Sequence, residues 1–345
     1  MTKIKIINRY ILLIFFLLFF ICCENSEKTT IQGAVVSARE EASKIGIEIL
    51  KKGGNAFDAM VATSFALTVV FPNAGNITGG GFMVYRTSKG DIGSLDYREM
   101  APLSSSEEMY LDKNGKARQD LSRTGGLAVG VPGSVAGILE VHKRMGSLPL
   151  KDLIQPSIEL AKAGFTVTEK QAQSLNNKRD EFIKVNGKNT FYGKAFKKGD
   201  TIKNPNLANA LIEISKHGNK GFYEGWVAES MVKKINKTGG RISLEDFRSY
   251  ESKWRRPIVF DYKELKVISM GPPSSGGICL AQMMKMVEPF DIGNLKYKSY
   301  EAMHLMIEVE RRSYADRSYF LGDPDFVSIP KYHLISSDYL NERML

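Results

Sequence analysis

The sequence is poor in the residues that cross-link or metallate a fold. Of its 345 residues three are cysteine, and Cys22 and Cys23 are adjacent near the start, so only Cys279 lies in the body and a disulfide framework is excluded. The four histidines (His142, His217, His304, His333) are far apart, and none has a second His or Cys at ligand spacing, which speaks against a metal site. The apolar run ILLIFFLLFFI at 11–21 falls short of the roughly 20 residues a spanning helix needs. Lysines are interspersed with Glu and Asp and form no basic stripe interleaved with aromatics, so nucleic acid is not an expected partner. No internal repeat or low-complexity segment follows residue 30.

What the N-terminus does have is a pattern. Lys3, Lys5 and Arg9 precede the apolar run, and these basic and apolar parts have the form of a secretory signal. Cys22, Cys23 and the polar tract ENSEKTT come next, an arrangement similar to a bacterial lipoprotein signal. The expected division is a signal over 1–22, a polar tether over 23–30 and a body over 31–345. Cys23 is the candidate for lipid attachment, which would tie the protein to a membrane in the cell envelope. The alternative is simple secretion to the periplasm, because Phe20 and Ile21 are bulkier than a lipoprotein signal usually carries.

Along the body, IQGAVVS at 31–37 reads as a strand. Residues 38–52 have helical spacing, with Glu40 and Glu41 early and Lys51 and Lys52 late, as the helix dipole favours. Gly53-Gly54 caps that helix. Asn55 is the predicted N-cap of a second helix, whose small residues Ala56, Ala59, Ala62 and Ala66 imply close packing on both sides. A hairpin follows, GFMVYRT and IGSLDYRE around Ser88–Asp91. Residues 151–250 read mainly as helices, 257–270 as a second hairpin, Cys279–Val287 as an apolar helix, and the stretch after Ser299 as a long final helix. This order predicts a layered α+β protein.

The chemistry-bearing candidates are few. Gly79–Gly81 in NAGNITGGGFMVY fits no phosphate loop: Phe82 and Met83 follow where Lys and Ser/Thr would stand, and the run precedes a strand instead of a helix. Two readings remain open, a tight bend against another backbone and a wall beside a substrate. There is no G-x-S-x-G elbow. Ser274-Ser275 in PPSSGG offers a hydroxyl, but Ser at a helix entry is the usual cap. Cys279 reads as a small core residue, His304 as packed within its helix, and RRSYADR as a solvated helix face. Arg98, at the strand end in SLDYREMAP, stands out. Its rigid fork suits a carboxylate, and a glycine wall beside it suits an amino-acid-like substrate. The plain alternative is a surface ion pair.

Taken together, GGNAFDAMVATSFALTVVFPNAGNITGGGFMVY, DYREMAP, GVPGSVAG, PPSSGGI and YADRSYFLGDPDF resemble, in order and spacing, the large subunit of γ-glutamyltransferases (γ-glutamyl transpeptidases), from about residue 31 to the end. The resemblance implies an N-terminal-nucleophile hydrolase fold, an αββα sandwich, here incomplete because only the large-subunit part is present. It implies a precursor that cuts itself in two. The new N-terminal Thr of the small subunit then attacks the γ-glutamyl amide of glutathione and related compounds and passes the glutamyl group to water, amino acids or peptides. It implies no cofactor. It assigns Arg98, in the D-[FY]-R-E motif, to the α-carboxylate of the glutamyl group.

The family's nucleophile opens a T-T-H-like sequence, and no such stretch occurs here before SSDYLNERML; Thr29-Thr30 is the only Thr pair and lies in the tether. No residue of this sequence is therefore assigned as catalytic. The expectation is a truncated reading or half of a split enzyme, inactive without its small subunit. A non-catalytic envelope lipoprotein that keeps the glutamyl pocket, and a related glutaryl-type amide acylase, are the alternatives.

Overall fold

The computed structural model describes residues 33–344, so the signal, Cys23 and the tether lie outside the described residues. Residues 33–36 are irregular and fall outside the compact unit that begins at Ser37. The strand expected over 31–37 is absent from its described part, 33–37. None of the described strands pairs with this segment, and an extended segment without a ladder gains no strand hydrogen bonds.

Helix α1 (Glu40–Lys51) carries its acids in the first turn and Lys51 in the last. It ends where Gly53, at φ +88°, turns the chain: Gly53 N–H donates to the Leu50 carbonyl and Gly54 N–H to the Ile49 carbonyl, each at 3.0 Å. Asn55 then starts α2 (Ala56–Val70). Its Oδ1 accepts from the Phe57 and Asp58 amides, and Asp58 Oδ2 accepts from the Asn55 amide at 2.9 Å, a reciprocal capping box. Val61, Ala62, Phe65 and Ala66 on α2 are all fully buried. The small side chains let α1 pack on α2, along with α3 (Ser134–Met145) and α4 (Leu150–Ala163).

Between α2 and α3 the predicted hairpin forms. β1 (Phe82–Arg86) pairs antiparallel with β2 (Ile92–Asp96), from Phe82↔Asp96 to Arg86↔Ile92. After α4 come the helices expected over 151–250, with a small two-stranded element between them. These are β3 (Phe165–Thr166), α5 (Glu169–Asn186), β4 (Thr201–Ile202), α6 (Pro205–His217), α7 (Lys220–Tyr223), α8 (Gly225–Lys237) and α9 (Leu244–Arg248).

The chain then returns to the first hairpin. β5 (Lys253–Arg255) pairs antiparallel with β2, making β2 the centre of a three-stranded sheet. The pleat sorts its residues. Leu95 is buried, and its partner Trp254 donates from Nε1 to Glu140 of α3 at 2.8 Å. Ser94, Asp96, Lys253 and Arg255 point to the opposite face. The second hairpin, β6 (Ile258–Tyr262) and β7 (Leu265–Ser269), packs on α10 (Gly276–Val287). Ile258, Phe260, Ile278, Ala281 and Leu334 form a core there. The long α11 (Tyr300–Phe320) lies on α10, with Ser299 as its N-cap, and two short helices follow, α12 (Lys331–Leu334) and α13 (Ser337–Met344).

Candidate functional site

The glycine run sits against the stretch of chain that carries Arg98. Gly81 and Tyr97 exchange backbone hydrogen bonds at 3.0 and 3.2 Å, extending the β1–β2 ladder by one pair. A methyl group on Gly80 would lie 2.6 Å from the Glu99 amide nitrogen and 2.8 Å from the Tyr97 carbonyl oxygen. The Gly79 carbonyl accepts from the Gly133 and Ser134 amides, both at 2.9 Å. Of the two readings of this run, close backbone approach is the one observed; the glycines do not line the Arg98 cavity. Tyr97 fills the space that glycine leaves on Gly81 and Gly137, and its burial pushes the phenol up.

Arg98 lies two residues beyond the end of β2, and its backbone is held at both ends. Its N–H donates to Asp96 Oδ1 at 3.0 Å, and its carbonyl accepts from Tyr250 Oη at 2.8 Å. Tyr250 is itself stacked face to face on Tyr223, with ring centroids 5.8 Å apart. Burial above all, with the nearby carboxylates of Asp96 and Glu99, raises the Tyr250 phenol. The Arg98 guanidinium lies 5.9 Å from the centre of the Phe82 ring and is exposed. Among the described residues no carboxylate forms an ion pair with it.

Arg98 opens onto a cavity of about 190 Å³. One wall is an ion-pair lattice. Asp96 Oδ2 accepts from Arg255 Nε at 2.8 Å. The other two guanidinium nitrogens of Arg255 donate to the two oxygens of Asp325, at 3.0 and 2.8 Å. Lys253 Nζ donates to Asp325 Oδ2 at 2.8 Å. The charged hydrogen bonds from Arg255 and then Lys253 hold the Asp325 carboxyl well below the usual range. The same bond to Asp325, helped by Asp96 and opposed by burial, pushes Arg255 up.

The other candidates resolve more simply. Ser275 is the N-cap position of α10, but its side chain makes no capping bond there and its Oγ accepts from Arg317 Nε at 3.1 Å; Ser274, one residue earlier, accepts from the Gly276 amide at 3.1 Å. Cys279 is buried in α10, and burial raises its thiol. His304 is exposed and stacked on Tyr300, one helical turn away, where packing within the helix was expected. RRSYADR is only partly a solvated face. Arg311 pairs with Glu308 in solvent, but Asp316 is buried, accepting from Gln282 Nε2 at 2.8 Å and pairing with Arg343 at 3.2 Å.

Sequence reasoning singled out Arg98 but not Asp96, Tyr250, Arg255 and Asp325, which surround it. A signal for one of them was present. In SLDYRE an acid stands on the strand face shared with Ser94, two residues before the arginine.

The protein-family profile described as Gamma-glutamyltranspeptidase matches residues 42–344. The Glutathione hydrolase proenzyme of Escherichia coli is 42% identical over 312 residues, covering 89% of this chain and 54% of that protein. The Acylase ACY 1 proenzyme of a Pseudomonas species is 35% identical over 321 residues, covering 90% of this chain and 58% of that protein. This chain thus spans about half the length of the curated relatives it matches. The crystal structure of Helicobacter pylori gamma-glutamyltranspeptidase superposes with a TM-score of 0.89 at 43% identity, over 92% of each chain. The fold is therefore the α+β N-terminal-nucleophile hydrolase type that the motifs implied, and the profile match covers nearly all of the body. The chain belongs to the gamma-glutamyltranspeptidase family.

Proposed function

We propose that the body of this protein is the donor-binding half of an enzyme that cleaves the γ-glutamyl amide bond of glutathione and related compounds. The glutamyl group passes to water or to an amino acid or peptide. In this reading the nucleophile is the N-terminal Thr of a small-subunit segment, whose own α-amine takes the hydroxyl proton. The observation that carries the reading is the contrast between the two arginines of the cavity. Arg255 is saturated by two carboxylates, whereas the Arg98 fork has none among the described residues. The α-carboxylate of a glutamyl donor supplies the missing partner, and a planar fork holds it in one orientation.

The test is donor kinetics with γ-glutamyl-p-nitroanilide in the complete, processed protein. In this reading the bound donor covers the exposed fork, and removing one partner of such a charged pair costs roughly 2–4 kcal/mol. Arg98→Ala therefore loses about 30- to 1000-fold in kcat/KM. Arg98→Lys keeps the charge but not the fork and falls between. Processing on a gel continues in both, because the cut does not involve the substrate carboxylate. A loss below about fivefold in Arg98→Ala, near 1 kcal/mol, returns Arg98 to a surface role and removes the pocket assignment.

That one relative is named an acylase favours a second reading; in it the donor is of glutaryl type, sharing the carboxylate but lacking the α-amine. Glutaryl-p-nitroanilide in the same assay separates the two: preference for it over the γ-glutamyl compound selects the acylase.

The proposal includes export, with lipid on Cys23. It is supported by the basic start, the short apolar run and the cysteine pair before a polar tract. Mass spectrometry of the mature N-terminus is expected to show cleavage before a diacylglyceryl Cys23. An intact Met1 ends the export reading, and an unmodified cut elsewhere retains secretion without the anchor.

A further inference from the structure

We infer that Arg255 is a positioning residue for the donor site, and that it acts by keeping carboxylates away from Arg98. This rests on the reading of Arg98 as the carboxylate anchor. A binding arginine must be charged, fixed and unpaired until substrate arrives, yet Arg98 shares its cavity with several acids. Five carboxylates line it, those of Asp96, Glu99, Glu251, Asp323 and Asp325. Glu99 turns toward the space at Gly80, where an added methyl would meet its Oε2 at 2.6 Å. Asp323 Oδ1 accepts the Asp325 amide at 3.0 Å. Asp96 and Asp325 are the two that Arg255 holds, through three hydrogen bonds of 2.8–3.0 Å.

The charges in this wall balance. Lys253 and Arg255 supply two positive charges against the two negative charges of Asp96 and Asp325. The lattice is therefore neutral in itself and adds no net negative charge beside Arg98. Asp96 links the two arginines directly, since one oxygen takes the Arg98 backbone N–H and the other takes Arg255. Without Arg255, buried Asp96 loses its side-chain cation and exposed Asp325 keeps only Lys253, while Arg98 is a cavity cation without an ion pair among the described residues. Pairing there fills the site that substrate needs. The loss is competitive with donor binding, so it raises KM and spares kcat.

The experiment is a rescue series in the complete, processed protein. Arg255→Ala is expected to raise KM for γ-glutamyl-p-nitroanilide about tenfold with kcat within about twofold. Removing a released anion restores binding: Arg255→Ala/Asp325→Asn or Arg255→Ala/Asp96→Asn lowers KM again by at least about threefold. A purely structural role for Arg255 predicts the reverse, a further loss with each added substitution. If Arg255→Ala does not fold, Arg255→Lys and its two double variants carry the same comparison. A crystal structure of the Arg255 variant gives the readout independent of activity, with the Arg98 guanidinium within ion-pair distance of Asp96 or Asp325. Absence of that contact together with no rescue overturns the inference. If the contact and its reversal are seen while Arg98→Ala leaves the kinetics unchanged, the gating by Arg255 stands and the donor-site reading of Arg98 fails.

Discussion

Three consecutive glycines do different work at each position, and the difference is measurable. At Gly80 an added methyl would press on the backbone of Tyr97 and Glu99, which cannot rotate aside. At Gly79 the same methyl would meet nothing nearer than Ser134 Oγ at 3.5 Å and two Asn76 oxygens at 3.6 and 3.7 Å, all ordinary contacts. Neither residue has positive φ, so the contrast is one of space alone. Gly80→Ala is expected to cost about 1–3 kcal/mol by overpacking. It should also lower kcat/KM for the donor, because the chain it displaces carries Arg98. Gly79→Ala is expected to be neutral or to stabilise by up to about 1 kcal/mol, through a less flexible unfolded chain. Thermal unfolding of both variants decides, and equal effects refute the packing account. The glycine run was visible in the sequence as a place of close approach, but which backbone approaches it was not. The same limit hid the lattice beside Arg98. Asp96 and Arg255 are separated by 159 positions and Arg255 and Asp325 by 70, and no local spacing rule joins them. Arg39 is a parallel case: it is buried, its side chain bonds Glu41 two residues away, and it also reaches across 132 positions to Gln171.

At the scale of elements, reading succeeded where local chemistry decides and failed where a distant partner does. Gly53-Gly54 and Asn55 were legible because a cap satisfies its own helix end from adjacent residues. The two hairpins were legible because alternation and a turn specify them, and Gly90 at φ +93° makes the first turn. β5 was not. Lys-Trp-Arg is too short to show a period, and it is a strand only because β2 offers an edge. That pairing nevertheless puts Arg255 diagonally across from Asp96, so the least legible strand holds the wall of the site. The expected strand at 31–37 is the opposite case: IQGAVVS reads as a strand, and no described strand supplies a ladder for its described part.

Across the whole molecule, buried carboxylates act as ties between segments far apart in sequence, which makes stability depend on acid pH in a defined direction. Asp58, fully buried, accepts from Asn55 N–H at 2.9 Å, Ser147 N–H at 2.9 Å, Ser147 Oγ at 2.5 Å and Leu148 N–H at 3.2 Å, and so binds the start of α2 to the turn between α3 and α4. Asp246 accepts from Leu103 N–H at 2.5 Å and from Ser243 N–H and Oγ, both at 2.7 Å, and so joins α9 to the loop after the first hairpin. Burial alone would raise both carboxyls, but these donors outweigh it and hold both below the ordinary value. A depressed folded value means that the unfolded chain binds the proton more readily. The ties contribute fully above the unfolded value, about 3.9 for Asp, and their contribution is lost as pH falls below it through the folded value. Replacing Asp58 by Asn removes the charge and points an amide N–H₂ at donors, costing about 1–3 kcal/mol at pH 7. Because the wild type forfeits the same contribution in acid, the gap in unfolding free energy between wild type and Asp58→Asn should be widest from about pH 5 upward and should close toward about pH 2. Denaturant melts at steps across that range measure it. A gap that stays constant with pH would show that the Asp58 carboxyl is not held below its unfolded value and that its network is held together by shape alone.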